Sequence, residues 1–241
     1  MVGFDGDDTL WHSEDAFARA QENLSGLLAA HATGSEVMSR LHEVERRNLE
    51  LFGYGIKGFT LSMIETAIEV SGGSVPVADI ERLLETGREM LARPVELLPG
   101  AAETVPLVAR SHRAVLVTKG DLLNQESKIA RSGLAEHFES IDILTEKSPE
   151  TYSRIFRRLD IAPEQFLMVG NSEASDVAPV LSAGGWAVLV PYPLTSLHER
   201  GRTADKSSPR LRTLPRIDEL PGLLGAAPGD PRQGQRAGLA R

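Results

Sequence analysis

The sequence predicts an α/β protein: a parallel sheet with helices on both faces, interrupted after its first strand by a helical insert. Three observations carry this. In the second half, short apolar runs alternate with segments of helical spacing. Between residues 14 and 96 the strand-like runs vanish and apolar residues recur every three to four positions. A further short apolar run, residues 2–5, stands alone before that helical region.

Residues 2–5 supply the first strand, short for a central role. Four amphipathic stripes follow: Phe17, Ala20, Leu24, Leu27 and Leu28; Val37, Leu41, Val44 and Leu49; Phe59, Met63, Ile64, Ala67 and Ile68; then Ile80, Leu83, Leu84, Met90 and Leu91. Pro94, Pro99 and Gly100 punctuate the return to the α/β part. The helix over 102–109 contains Pro106, so it is expected to start late or to kink. Strands are expected at 113–118, 141–144, 166–170 and 186–190, buried on both faces because they are almost wholly apolar. Helical spacing joins them through Leu122, Ile129 and Leu134, through Tyr152, Ile155, Phe156 and Leu159, and through Val177, Val180 and Leu181. The division is therefore a core of residues 1–13 and 97–218, an insert of 14–96, and a tail of 219–241. The tail is expected to be disordered, since it holds five Gly, three Pro and no aromatic residue.

The 241 residues are 41% hydrophobic and 25% charged, enough to bury an ordinary core. With 26 Lys and Arg against 34 Asp and Glu, the net charge of -8 disfavours a broad surface for nucleic acid or acidic lipid. Any phosphate-bearing ligand must be attracted locally. There is no cysteine, which removes disulfides, thiol nucleophiles and thiolate metal sites together. The start has neither the basic residues nor the apolar run of a secretory signal, and no stretch approaches a spanning helix, so a cytoplasmic protein without a membrane partner is expected. Because only four residues precede Asp5, the native start is expected to lie upstream.

The chemistry concentrates in Asp5-Gly6-Asp7-Asp8-Thr9-Leu10-Trp11. Behind a strand and before a helix, these carboxylates belong at the C-terminal edge of the sheet, where open α/β folds bind ligands. Asp5 and Asp7 share one side if the backbone stays extended. Two carboxylates that close invite a divalent cation or a shared proton. The plain alternative is a polar loop capping the first helix. An EF-hand loop is excluded, because Leu10 and Ala16 stand where it requires Gly and Glu.

With this motif the chain resembles the haloacid dehalogenase superfamily, specifically phosphatases with a helical cap inserted after the first strand. Asp5, Asp7, Thr9 and Leu10 meet the first motif, and Thr118, closing an apolar strand, the second. Lys147, in Glu146-Lys147-Ser148-Pro149, meets the third, and Gly170-Asn171-Ser172-Glu173-Ala174-Ser175-Asp176 meets the fourth imperfectly. The resemblance implies a three-layer Rossmann-like core and a Mg²⁺-dependent phosphomonoester hydrolase acting on a small phosphorylated metabolite. It implies Asp5 as the nucleophile that becomes an aspartyl-phosphate and Asp7 as the acid and base. Thr118, the amides around Lys119, and Lys147 would hold the phosphoryl group. Mg²⁺ would sit on Asp5, the Asp7 carbonyl, Asn171 and Asp176. Asn171 departs from the family's usual Asp, which shifts the expected carboxylate ligation onto Asp176. Lys128 is a rival to Lys147, set aside because it lies about two turns down a helix. The competing functions are another reaction of the superfamily, dehalogenation or sugar-phosphate mutation, and a non-catalytic regulator that keeps the fold. Sequence leaves a monomer and a homodimer equally open.

Gly53-Tyr54-Gly55-Ile56-Lys57-Gly58 matches a dinucleotide fingerprint in letters only, since no strand precedes it. It reads as a helix-helix loop whose Tyr54 and Lys57 face the substrate's leaving group, or as a solvated turn. Gly170 to Ala174 imitates a nucleophile elbow but lacks the final Gly. His12, beside the aspartate turn, is a candidate to line the cap entrance.

Overall fold

A computed structural model describes residues 1–194 and 203–225. Six parallel strands form one sheet in the order β3-β2-β1-β4-β5-β6: β1 (Val2–Phe4), β2 (Ala114–Lys119), β3 (Ser140–Leu144), β4 (Leu167–Gly170), β5 (Trp186–Leu189) and β6 (Leu211–Thr213). Side-chain alternation divides the core in two. On β2, Leu116 packs with Phe4, Trp11, Val105 and Ile129 on one face, while Val115 and Val117 pack with Tyr152, Phe156 and Met168 on the other. The centres of β1, β2, β4 and β5 are buried on both sides, so the sheet is the middle of three layers, an α/β Rossmann-like arrangement; β3, expected to be buried on both faces, lies at the sheet's edge with Ile141 exposed, as β6 does at the other edge.

The three residues of β1 lie at the sheet's centre, paired with β2 through Val2–Ala114 and with β4 through Val2–Leu167. Gly3 is required there by close approach, since a Cβ would stand 2.4 Å from the Phe166 ring. Between β1 and the rest of the sheet run α1 (Glu14–Leu27), α2 (Gly34–Phe52), α3 (Ile56–Val70) and α4 (Val77–Ala92). Ala20, Leu24, Val37, Leu41, Phe59, Met63 and Leu83 give these helices a core of their own. Thr33 and Glu36 start α2 with a reciprocal capping box.

The helices α5 (Ala101–Ala109), α6 (Leu122–Ser132), α7 (Pro149–Arg158) and α8 (Ala178–Ser182) cover the sheet. Asp121 caps α6 by accepting the Asn124 N–H at 3.0 Å, and Ser148 caps α7 by accepting that of Thr151 at 3.2 Å. Thus α6 and α7 begin beside the C-terminal ends of β2 and β3.

Three further details differ from the sequence reading. The α5 helix runs through Pro106 and starts on time at Ala101. Strand β6 was not expected, because Leu211, Arg212 and Thr213 lack an apolar run; as an edge strand they are half open to solvent. The tail does not begin at residue 219: α9 (Leu220–Leu223) buries Leu220 against α5, and apolar packing there outweighs a Gly- and Pro-rich composition. Residues 226–241 lie outside the described residues. Among the described residues no helix is long and apolar enough to cross a membrane.

Candidate active site

The turn after β1 is built tightly. The Gly6 carbonyl accepts from the amides of Thr9 and Leu10, and a Cβ on Gly6 would meet the Trp11 ring at 2.5 Å. Asp8 takes a positive φ of 60° and caps α1, accepting the amides of Ser13 at 2.9 Å and Glu14 at 3.1 Å. The capping role that sequence offered as the plain alternative for the whole cluster thus falls to Asp8 alone. All three aspartates line a cavity of about 170 Å³ between the helical insert and the C-terminal edge of the sheet, together with Lys119, Lys128, Lys147 and Asn171.

Lys147 is 4% exposed and donates to Asp5 Oδ1 and Asp176 Oδ1, each at 2.6 Å. The second oxygen of Asp176 accepts the Ser172 amide at 3.0 Å. Each Asp176 oxygen thus accepts one hydrogen bond, as each Asp5 oxygen does, and Asp176 is a counter-ion of Lys147. Asp5 Oδ2 accepts from Thr9 Oγ1 at 3.0 Å. One terminal atom of the Asn171 amide lies 3.3 Å from Asp5 Oδ2, 3.3 Å from the Asp7 carbonyl oxygen and 3.2 Å from Thr9 Oγ1.

Turned one way, that amide donates protons to these oxygens. Turned the other way, its oxygen joins those of Asp5 and Asp7 with only the Thr9 hydroxyl proton to share among them, an arrangement a hard cation resolves. The donor set, one carboxylate, one amide and one main-chain carbonyl, fits Mg²⁺, which takes few carboxylates and keeps its waters. Among the described residues no three His, Cys, Asp or Glu side chains form a metal cluster by themselves.

Asp7 is held differently. Its Oδ1 accepts from Trp11 Nε1 at 2.7 Å and from Lys128 Nζ, and its Oδ2 from Gln125 Nε2 at 2.8 Å. Lys128 thus enters the cavity, contrary to its dismissal as too far down α6. Lys147 and Lys128 each serve one of the paired aspartates. Gln125 was missed altogether; the signal was its polar spacing of three residues from Lys128 on the helix that follows Thr118.

The electrostatics separate the carboxylates. Burial and the neighbouring Asp176 charge push Asp5 up to about 7, against the opposing pull of Lys147. Burial would raise Asp7 too, but the Lys128 ammonium and the donors around it hold Asp7 below the usual carboxylate range. Burial and the Asp7 charge push Asp8 up to about 7. Burial works against the Lys147 charge, yet Asp176 and Asp5 outweigh it and keep Lys147 protonated well beyond an ordinary lysine.

Thr118 is fully buried in β2, and its hydroxyl finds no hydrogen-bond partner among the described residues. The neighbouring Lys119 and Gly120 line the cavity; Thr118 does not. Lys119 donates to Ser175 Oγ at 2.9 Å and stands 4.1 Å from the centre of the Tyr54 ring. Tyr54 lines the cavity from the insert and donates to Glu146 Oε2 at 3.0 Å. Lys57 does not line it; half-exposed, it pairs with Asp121 at 3.0 Å. Of the two residues expected to face the leaving group, only Tyr54 lines the cavity. His12 pairs with the Tyr192 hydroxyl at 2.8 Å, outside this cavity.

A family model described as haloacid dehalogenase-like hydrolase matches residues 1–184. Similar solved structures include a haloacid dehalogenase-like family hydrolase from Xanthomonas campestris, 44% identical, with 93% of this chain and 90% of that chain covered and a TM-score of 0.83. The HAD hydrolase YfnB from Bacillus subtilis, bound to magnesium, is 18% identical over 92% of this chain and 97% of its own, with a TM-score of 0.63. L-2-haloacid dehalogenase from Xanthobacter autotrophicus is 18% identical over 93% and 97%, with a TM-score of 0.61. No curated protein matches the chain significantly. The last two likenesses speak for the fold alone. The family match over residues 1–184, the 44% identity and the paired aspartates at the edge of a six-stranded parallel sheet make this chain a member of the haloacid dehalogenase-like hydrolases.

Proposed function

We propose that the chain is a phosphatase within this family, hydrolysing a small phosphomonoester through an aspartyl-phosphate. The observation that carries the reading is Asp7: a second carboxylate lines the cavity beside Asp5 and is held by three donors. Displacing halide from carbon leaves no alkoxide to protonate, whereas releasing an alcohol from phosphate does, so the second acid has work only in the latter reaction.

In the first step an Asp5 oxygen attacks phosphorus in line with the leaving group. The bond from phosphorus to the ester oxygen breaks, and Asp7 gives that oxygen its proton. The incoming phosphate brings negative charge beside Asp7, which favours the protonated form that Lys128 otherwise opposes. In the second step Asp7 takes a proton from water as the water oxygen attacks phosphorus, releasing phosphate and regenerating the Asp5 carboxylate. Lys147 holds Asp5 in place and offsets the charge on the phosphoryl oxygens, with the Lys119 and Gly120 amides beside it. Thr118, whose unsatisfied hydroxyl lies behind Lys119 and Gly120 without lining the cavity, is the proposed additional donor once it turns toward the phosphoryl group. Asp5, Asn171 and the Asp7 carbonyl would hold Mg²⁺, which supplies positive charge that keeps the Asp5 carboxyl ionised and steadies the phosphoryl oxygens. The substrate enters between the insert and the sheet, where Tyr54, Phe17 and Phe59 form the opposite wall.

Phosphate release from p-nitrophenyl phosphate with Mg²⁺ tests the reading. Activity is expected in the wild type and lost in Asp5→Asn. Halide release from 2-haloacids without phosphate release would overturn it in favour of dehalogenation.

A further inference from the structure

Asp7 is fixed more firmly than its place in the turn requires. Trp11, fully buried and packed on Gly6, belongs to that turn and holds one oxygen. The other two donors come from α6, where Gln125 and Lys128 stand three residues apart and so share a helix face. Gln125 is itself immobilised. It is 2% exposed, its Nε2 also donates to the Lys119 carbonyl at 2.8 Å, and it lies so close to Gly120 that a Cβ there would meet Nε2 at 2.8 Å. Lys128 lines the main cavity and also a smaller one at the junction of α1 and α4, so its side chain forms part of the wall between the two.

We propose that Gln125 and Lys128 are positioning residues, which aim the Asp7 carboxyl at the oxygen that leaves with the alcohol. The inference rests on the phosphatase reading above. With Trp11 alone, Oδ1 would be held while Oδ2 swung freely about the side-chain bonds. Donors from α6 on both oxygens close that rotation. A misplacement of about 1 Å in a reacting group costs on the order of 10²-fold in rate, so a second anchor carries a measurable advantage. Neither residue need touch substrate for this. A Lys128 that instead bound the phosphoryl group directly would act on every substrate alike.

Leaving groups separate these roles. An alkyl phosphomonoester depends on proton delivery, while p-nitrophenolate leaves almost unaided. kcat/KM reports the step that releases the alcohol, so glycerol phosphate and p-nitrophenyl phosphate are compared by that constant in wild type, Lys128→Met, Lys128→Arg, Gln125→Met and Asp7→Asn. For Lys128→Met the expected result is a ratio of alkyl to aryl kcat/KM lowered about tenfold or more, carried by kcat rather than KM. Gln125→Met is expected to move the ratio the same way by less, and Lys128→Arg to restore most of it. In an Asp7→Asn background, Lys128→Met is expected to change the ratio less than about twofold, as for residues that act as one unit. Should Lys128→Met not fold, judged by thermal melting, Gln125→Met carries the same test, because it removes only a neutral donor.

Equal losses on both substrates with a raised KM in Lys128→Met, or no loss, would overturn the inference alone while Asp7→Asn still discriminates between leaving groups. Equal losses on both substrates in Asp7→Asn itself would overturn the acid role of Asp7, and the inference with it.

Discussion

Replacing Gly170 by alanine places one methyl group against the pair that anchors Lys147. Gly170 closes β4, and its φ is not in the left-handed region, so backbone conformation does not oppose the change. Space does. The added Cβ would stand 2.2 Å from Asp176 Cγ, 2.2 Å from Oδ2 and 2.6 Å from Cβ, where ordinary contact begins near 3.4 Å. The carboxylate must retreat by roughly 1 Å to reach van der Waals separation. Asp176 is 1% exposed and anchored by Lys147 at 2.6 Å and the Ser172 amide at 3.0 Å, so that retreat breaks at least one charged hydrogen bond. Overpacking costs about 1–3 kcal/mol, and the lost charged bond about 1.5–3 kcal/mol. Restricting the unfolded chain returns about 0.4–1 kcal/mol. The net expectation is a destabilisation of about 2–5 kcal/mol, read from urea unfolding at pH 7 with an unchanged m-value. In an Asp176→Ala background the carboxylate is gone, and the same substitution is expected to cost at least about 1.5 kcal/mol less. A change within about 0.5 kcal/mol of wild type, or equal costs in both backgrounds, would refute the packing argument.

Lys147→Met leaves Asp5 and Asp176 buried without their shared cation, and a loss of about 3–5 kcal/mol is expected in the same unfolding assay. In Gly87→Ala, on α4, the new Cβ would meet Thr60 Oγ1 at 2.3 Å and Cγ2 at 2.9 Å. A gain in helix propensity of about 1 kcal/mol is outweighed by overpacking a stiff β-branched neighbour, so calorimetry should show a lower Tm that Thr60→Ala, which removes both clashing atoms, largely restores. Asp8 titrates near 7 in the fold and near 3.8 when unfolded, so between those values the native state holds the extra proton and stability falls as pH rises, levelling off above about 7. Asp8→Asn keeps an oxygen for the α1 amides and removes the charge; its stability relative to wild type should climb from pH 4 to 7, and a flat difference would contradict the burial argument.

Much of the sheet was legible because strands buried on both faces leave long apolar runs, and Val115 to Val117 are such a run. Strand β6 left none, since an edge strand with Arg212 exposed carries no hydrophobic signature. The paired aspartates were legible because three acids directly after an apolar strand have few structural uses. The partition of labour among them was not. That Asp8 caps α1 depends on a positive φ, and that Lys128 reaches Asp7 depends on how α6 packs across the turn, which spacing within one helix cannot reveal. The partner of Asp176 was hidden for a related reason. Sequence shows its charge, whereas only the fold shows that Lys147 and the Ser172 amide each donate to one of its oxygens.

The central place of a three-residue β1 also bears on the order of events during synthesis. Its partners arrive late, one at residues 114–116 and the other at 167–169. Helices α1 to α4, whose contacts are local, can assemble on the emerging chain well before the sheet has a middle. Asp5 emerges from the ribosome first among the site's residues, 142 positions ahead of the Lys147 that pairs with it. Within the acidic turn, Asp7 and Asp8 find partners early, in Trp11 and the first amides of α1, whereas Asp5 waits for its buried lysine until most of the sheet has been made.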